Sequence, residues 1–107
     1  MSDQDQWYVI FDTLRDQSRR RVLVSLLDVE TRTVGDLLDE AQRQDGRDRR
    51  ALRIAYVHIH LPKLHGTGYI DWRKEADEIH RGPRYGEVQP VVGVLDENRE
   101  RLPDGWL

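Results

Sequence analysis

Along most of this chain apolar residues recur at the three- and four-residue spacing of helices that bury one face. Trp7, Ile10, Phe11 and Leu14 make the first such stripe, after a polar segment 1–6 expected to be flexible. A break at Arg15-Asp16-Gln17 leads to Ser18, an expected N-cap, and to a second stripe of Val22, Leu23, Leu26 and Leu27. Thr31 and Arg32 suit a short bridging strand. Thr33 and Asp36 then form a capping-box-like pair opening a third helix, with Val34, Leu37, Leu38 and Ala41 on its inner face and Asp45-Gly46 at its end.

The longest helical pattern covers about 47–65. Val57, Leu61 and Leu64 make its stripe and, at roughly 100° per residue, Ile54 joins them while Leu52, Ala55, Tyr56 and Ile59 fall on the opposite side. Pro62 removes a backbone bond to the His58 carbonyl and predicts a kink. Gly66 and Gly68 offer the permissive positions of a C-terminal cap. Tyr69 to Arg73 and Glu78 to Arg81 read as two short strands joined by the polar tip Lys74-Glu75-Ala76-Asp77. Gly82-Pro83 breaks that hairpin. Pro90 is placed in the first turn of a last helix, about 90–102, carrying Val91, Val92, Val94, Leu95 and Leu102. In the tail, 103–107, Trp106 is expected to pack back on a neighbour, and Trp7 and Trp72 are likewise read as packing residues.

With 107 residues the chain suits one domain with a modest core. Charged residues make up 35% of it and hydrophobic ones 37%, which predicts a densely ionic surface around that core. The net charge is −3, and with histidine counted neutral every cation apart from Lys63 and Lys74 is an arginine. Such usage resembles that of halophilic archaeal proteins. The absence of cysteine excludes a disulfide framework and a thiolate metal site. No apolar run approaches the ~18 residues of a membrane span, and the segment MSDQDQ lacks the layout of a signal peptide. A cytoplasmic protein with no membrane partner is expected. Arg19, Arg20 and Arg21 open the second helix against its macrodipole, so they are either a solvated face or a contact for phosphate or an acidic partner.

The order helix, helix, bridge, helix, long helix, hairpin is that of a winged helix-turn-helix, and local motifs agree. Ser18-Arg19-Arg20-Arg21-Val22-Leu23 resembles the opening of ArsR- and MarR-like regulators, Thr33-Val34-Gly35-Asp36-Leu37 their next helix, and His60-Leu61 to Gly68-Tyr69-Ile70 the exit of their long helix. With His60-Leu61-Pro62-Lys63-Leu64 included, the chain resembles a haloarchaeal winged-helix domain family of unassigned function, from about Phe11 to Val92. The resemblance implies a mainly α fold with a small β-hairpin: a winged-helix domain over 7–102, its recognition helix about 47–65 and its wing about 69–82. It implies a homodimer bound to double-stranded DNA.

Arg43, Arg47, Arg49, Arg50 and Arg53 form a local basic patch suited to phosphate contacts. In the wing Arg73, Lys74, Arg81 and Arg84 face dilution by Glu75, Asp77 and Glu78. The positions aligned with groove-facing residues are Ile54, Ala55, Tyr56, His58 and Ile59, where such regulators carry Ser, Thr, Gln or Arg. Of these, His58 and Tyr56 offer hydrogen bonds to a base edge, and Ala55 and Ile59 suit a thymine methyl. The DNA-binding set is therefore Arg47, Arg49, Arg50, Arg53, Tyr56, His58, Arg73 and Lys74. The dimer or partner interface is Trp7, Ile10, Phe11, Leu52, Ile59, Val91 and Leu95. The alternative function is a protein-interaction module whose contact is the apolar side of the long helix; a third is an effector sensor at the dimer interface.

His58, His60, His65 and His80 raise a metal reading, but His58 and His60 point to different sides of a helix and no thiolate supports them, so no metal is expected. His60 is read as a core-edge residue. No phosphate-binding glycine loop, dinucleotide fingerprint or nucleophile elbow occurs, and neither catalysis nor a cofactor is expected.

Overall fold

A computed structural model describes residues 3–107 and shows a mainly helical chain with one small antiparallel sheet. Helix α1 spans Asp3–Leu14 and turns Ile10, Thr13 and Leu14 inward. It corrects the expectation of a flexible segment 1–6: the chain is helical from Asp3, and Gln6 Nε2 donates to Glu87 Oε1 at 2.8 Å. Met1 and Ser2, part of the same expectation, lie outside the described residues.

Helix α2, Gln17–Ser25, is capped by Asp16 rather than Ser18, because the Asp16 carboxylate accepts from the Ser18 N–H at 2.8 Å. Strand β1 is Thr31–Arg32, and α3 is Val34–Asp45. As expected, Thr33 caps α3 by accepting from the Asp36 N–H at 3.0 Å, and Gly46 ends it in the left-handed region at φ 64°.

The long helix begins at Arg49, two residues later than expected, because Asp48 caps it by accepting from the Ala51 N–H at 3.1 Å. It runs as α4, Arg49–Ala55, then a π turn, Tyr56–His60, then α5, Leu61–Thr67. In the π turn the Leu61 N–H bonds to the Tyr56 carbonyl, five residues back. Pro62 follows at once, so the ladder is disturbed where a proline kink was expected, and the disturbance is a π turn.

This turn changes which residues face the core. The wider turn puts Leu52, Tyr56, His60, Leu61 and Leu64 inside, whereas Ile54 is 51% exposed and Ile59 56% exposed. Two expectations fail for this reason. Ile54 leaves the stripe, and Leu52 and Tyr56, both 1% exposed, are core residues rather than a partner surface or base-reading positions.

Gly68 caps α5 with φ 82°, the conformation for which a glycine was expected. Strands β2, Ile70–Arg73, and β3, Glu78–Arg81, pair antiparallel, and β1 adds to the other side of β3, giving the order β1-β3-β2. The register sets Thr31 opposite His80 and Trp72 opposite Ile79. Gly82 does more than break the hairpin: a Cβ there would lie 2.4 Å from the Gly68 carbonyl oxygen, so no larger residue fits. Helix α6 spans Tyr85–Glu97, not 90–102, with Pro90 inside it and Leu102 beyond a short 3-10 turn at Arg99–Arg101. It starts early because Tyr85 is buried and its hydroxyl donates to the Leu23 carbonyl at 2.8 Å, tying α6 to α2. Among the described residues no helix is long and apolar enough to cross a membrane.

Candidate nucleic-acid interface

The three arginines that open α2 are neither solvated nor offered to a ligand. Arg19 is 5% exposed and donates to the carbonyls of Thr13 at 2.8 Å and Asp12 at 3.1 Å, closing the C-terminus of α1. Arg20 closes the same end by donating to Leu14 at 2.6 Å and Arg15 at 3.0 Å. It also stacks 4.3 Å from the ring centre of Trp106 and donates to that residue's carbonyl, which places the tail back on the body as expected. Arg21 makes a two-pronged pair with Asp45 at 2.8 and 3.1 Å, joining α2 to the end of α3 and holding the Asp45 carboxyl below its usual range.

Most other cations are also spent inside the molecule. Arg32 pairs with Glu40, Arg49 with Asp39, Lys63 with Asp12, Arg84 with Glu87 and Arg99 with Asp96. Arg73 pairs with Asp71, Lys74 lies over the Trp72 ring at 4.9 Å, and Arg81 donates to the carbonyls of Leu26 and Leu27. What is left is local. Arg43, Arg47, Arg50 and Arg53 are exposed and make no ion pair or hydrogen bond with a described residue, and they lie between the last turn of α3 and the last turn of α4. Elsewhere among the described residues Arg101 shares that condition, as does Lys74 apart from its ring contact with Trp72.

No family model, curated protein or solved structure matches this chain.

Along the outer face of the long helix Arg50, Ile54, His58 and Pro62 form a row at four-residue spacing, all exposed, with Arg53 beside it. The π turn keeps His58 in that row while Tyr56 turns inward. Of the residues expected to bind DNA, Arg47, Arg50, Arg53 and His58 are open on or next to this face. Arg49 is exposed but engaged by Asp39 and Gln42, and Arg73 and Lys74 lie on the hairpin with partners of their own. Tyr56 does not belong to the set: burial pushes its phenol up, and the Ser18 side chain is its hydrogen-bonding neighbour. Fixed helical spacing placed Ile54 inside, whereas the alignment with groove-facing positions placed it outside, and the structure agrees with the second.

Of the expected interface residues, Trp7 and Phe11 are exposed on α1 and stack with ring centres 5.6 Å apart, with Tyr8 beside them. Val91 and Leu95 on α6 are half-buried against the core. Ile10 is 4% exposed and Leu52 is in the core, so neither is free to meet a partner. Ile59 is open.

The histidines separate. His65 Nδ1 accepts from the Trp72 N–H at 3.1 Å, and His80 sits between Thr31 at 3.2 Å and Glu78 at 2.9 Å, on the other side of the hairpin pair. His60, in the π turn, is 8% exposed; Arg19 Nη1 lies 3.3 Å from its Nδ1 and Asp16 Oδ1 3.7 Å from its Nε2. Among the described residues no group of three or more metal-ligating side chains comes together.

Proposed function

We propose that this chain is a winged-helix DNA-binding protein that acts as a transcriptional regulator, contacting duplex backbone with the unpaired arginines around the start of the long helix. The element order, the three-stranded sheet and the hairpin after the long helix support the winged-helix reading. One observation carries the DNA reading. In a chain of net charge −3, where most cations are held by a carboxylate, a carbonyl or a ring within the molecule, Arg43, Arg47, Arg50 and Arg53 are left open together. A polyanion with regularly spaced phosphates is the partner such a cluster fits. The dimer is part of the same proposal: Trp7, Tyr8 and Phe11 expose a stacked aromatic surface on α1, and Val94 is exposed on α6, whose N-terminal end Gln6 ties to α1.

Binding of mixed-sequence duplex followed across salt concentrations tests it. Affinity is expected to fall steeply with salt, and each arginine replaced by alanine should lower the slope of log K against log salt by about 0.9. Absence of binding at low salt would end the DNA reading.

A second reading, a protein-interaction module, rests on Ile59, which at 56% exposure is a large apolar side chain open on the long helix. It loses Leu52 and Tyr56, which belong to the core. Ile59→Asp should then abolish association with the partner while leaving the fold intact.

A further inference from the structure

We propose that Ile54 reads the 5-methyl group of thymine in the major groove, giving the protein a preference for thymine over cytosine at the base it covers. This rests on the DNA-binding reading above. Ile54 is 51% exposed although a large aliphatic residue is costly to leave in water, and it is centred in the outer row between Arg50 and His58. Arg50 and Arg53, both without an internal partner, stand one turn before it and beside it. An approach that lays this row along the major groove brings those guanidiniums within reach of phosphates and turns Ile54 to the base edges.

An isoleucine offers no donor or acceptor, so the base edge it faces must need none. Facing the cytosine N4 amino group or the guanine O6 and N7, it would strip water from a polar group and return no hydrogen bond. The thymine methyl is the one apolar group displayed in the major groove, and covering it removes apolar surface on both partners from water. His58, one turn further along and exposed, supplies a ring N–H or ring nitrogen for an adjacent base edge. The polar readout that resembling regulators place on this face is thus replaced by shape and apolar contact at one position.

The test removes the methyl group without touching the pairing. Duplexes that the wild-type protein enriches from a random pool are made twice, once with thymine and once with uracil throughout. Binding is measured for the wild type and for Ile54→Ala at several salt concentrations. The wild type is expected to bind the thymine duplex about four-fold more tightly, the value of one buried methyl. Ile54→Ala, whose shorter side chain covers little of that methyl, should lose most of the preference with an unchanged salt slope. Equal wild-type binding to both duplexes overturns the thymine assignment and leaves DNA binding standing. A thymine preference that survives in Ile54→Ala overturns the role of Ile54. Failure to enrich or bind any duplex at low salt overturns the DNA reading and this inference with it. An unchanged thermal unfolding midpoint in Ile54→Ala shows that its binding change is not a loss of fold.

Discussion

The Asp77 carboxylate at the tip of the β2–β3 hairpin accepts a hydrogen bond at 3.1 Å from the backbone N–H of Val34, the first residue of α3. The hairpin is therefore fastened to a helix N-terminus at its far end, where an anionic acceptor also suits the helix dipole. Asp77 adopts φ 52° to do this, a left-handed conformation that aspartate tolerates better than most residues. Asp77→Ala should lose the acceptor and keep the strain, costing on the order of 1–2 kcal/mol in urea unfolding. Asp77→Asn, which keeps an acceptor and tolerates the conformation, should cost much less. Equal losses in the two variants would show that this bond does not hold the tip.

Gly82 is required by packing. Its missing side chain lets the start of β2 pass close by, with the Ile70 carbonyl carbon 2.7 Å from where a Cβ would stand. Gly82→Ala should destabilise the fold by at least about 1–3 kcal/mol, the cost of overpacking a site lined by backbone that cannot move aside. Gly86, where an added Cβ meets nothing within 4 Å, is the control: Gly86→Ala, in the first turn of α6, should leave stability equal or slightly raised.

His60 should give a pH-dependent stability. Burial lowers its pKa from the ordinary 6.5; Asp16 opposes that, while Arg19 and Arg47 reinforce it. The neutral ring is also the one that can accept from Arg19 at Nδ1. The unfolded chain binds the proton first as pH falls. The contribution is thus full above about pH 6.5 and declines below it, toward the depressed folded value. The carboxyls of Asp12, Asp45 and Glu87, held down by Lys63, Arg21 and Arg84 respectively, lose theirs in a separate window below the ordinary 3.8 to 4.5. Urea unfolding as a function of pH should show two acid steps, and His60→Gln should remove the upper one alone. A profile with the upper step intact in that variant would assign it to another group.

At the alkaline end Tyr85 acts with the opposite sign. Burial pushes its phenol up to about 12, so folding favours the protonated form that donates to Leu23. That contribution is complete below about pH 10 and is lost as pH rises toward 12. Tyr85→Phe should cost roughly 1 kcal/mol at neutral pH and shrink the alkaline limb of the stability profile, leaving the part that buried Tyr56 and Tyr69 carry.

What could be read from the sequence was whatever has a local signature. Thr33 with Asp36, Gly46, Gly68 and the polar tip between two short strands marked their elements because capping and turn chemistry act within a few residues. Periodicity failed in the long helix because it assumes one turn angle. A single five-residue turn at Tyr56–His60 moves Leu52 and Tyr56 inward and Ile54 outward. Pro62 was the available sign that the ladder is disturbed there. The work of Arg19 and Arg20 was invisible for another reason: their acceptors are main-chain carbonyls of α1, which any sequence would supply. In the candidate interface the cluster of Arg47, Arg50 and Arg53 was legible as charge. Its lack of close ion pairs, which sets it apart from Arg21 or Arg32, required the fold.

That difference between bound and open arginines gives the sharpest comparison. Arg19 closes the end of α1 from a buried position, so Arg19→Met leaves the carbonyls of Asp12 and Thr13 without their donor and should cost about 1–3 kcal/mol of stability. Arg50 is exposed and its side chain makes no ion pair or hydrogen bond with a described residue, and Arg50→Ala should stay within about 0.5 kcal/mol of the parent. Duplex binding should respond in the reverse order. Arg50→Ala should weaken it across all sequences and lower the salt slope by about 0.9, whereas folded Arg19→Met should keep the slope of the parent. Measured by urea unfolding and salt-titrated anisotropy on the same preparations, the two variants should exchange ranks between the assays. If Arg50→Ala leaves the slope untouched, the phosphate contact is not made through this row of the long helix.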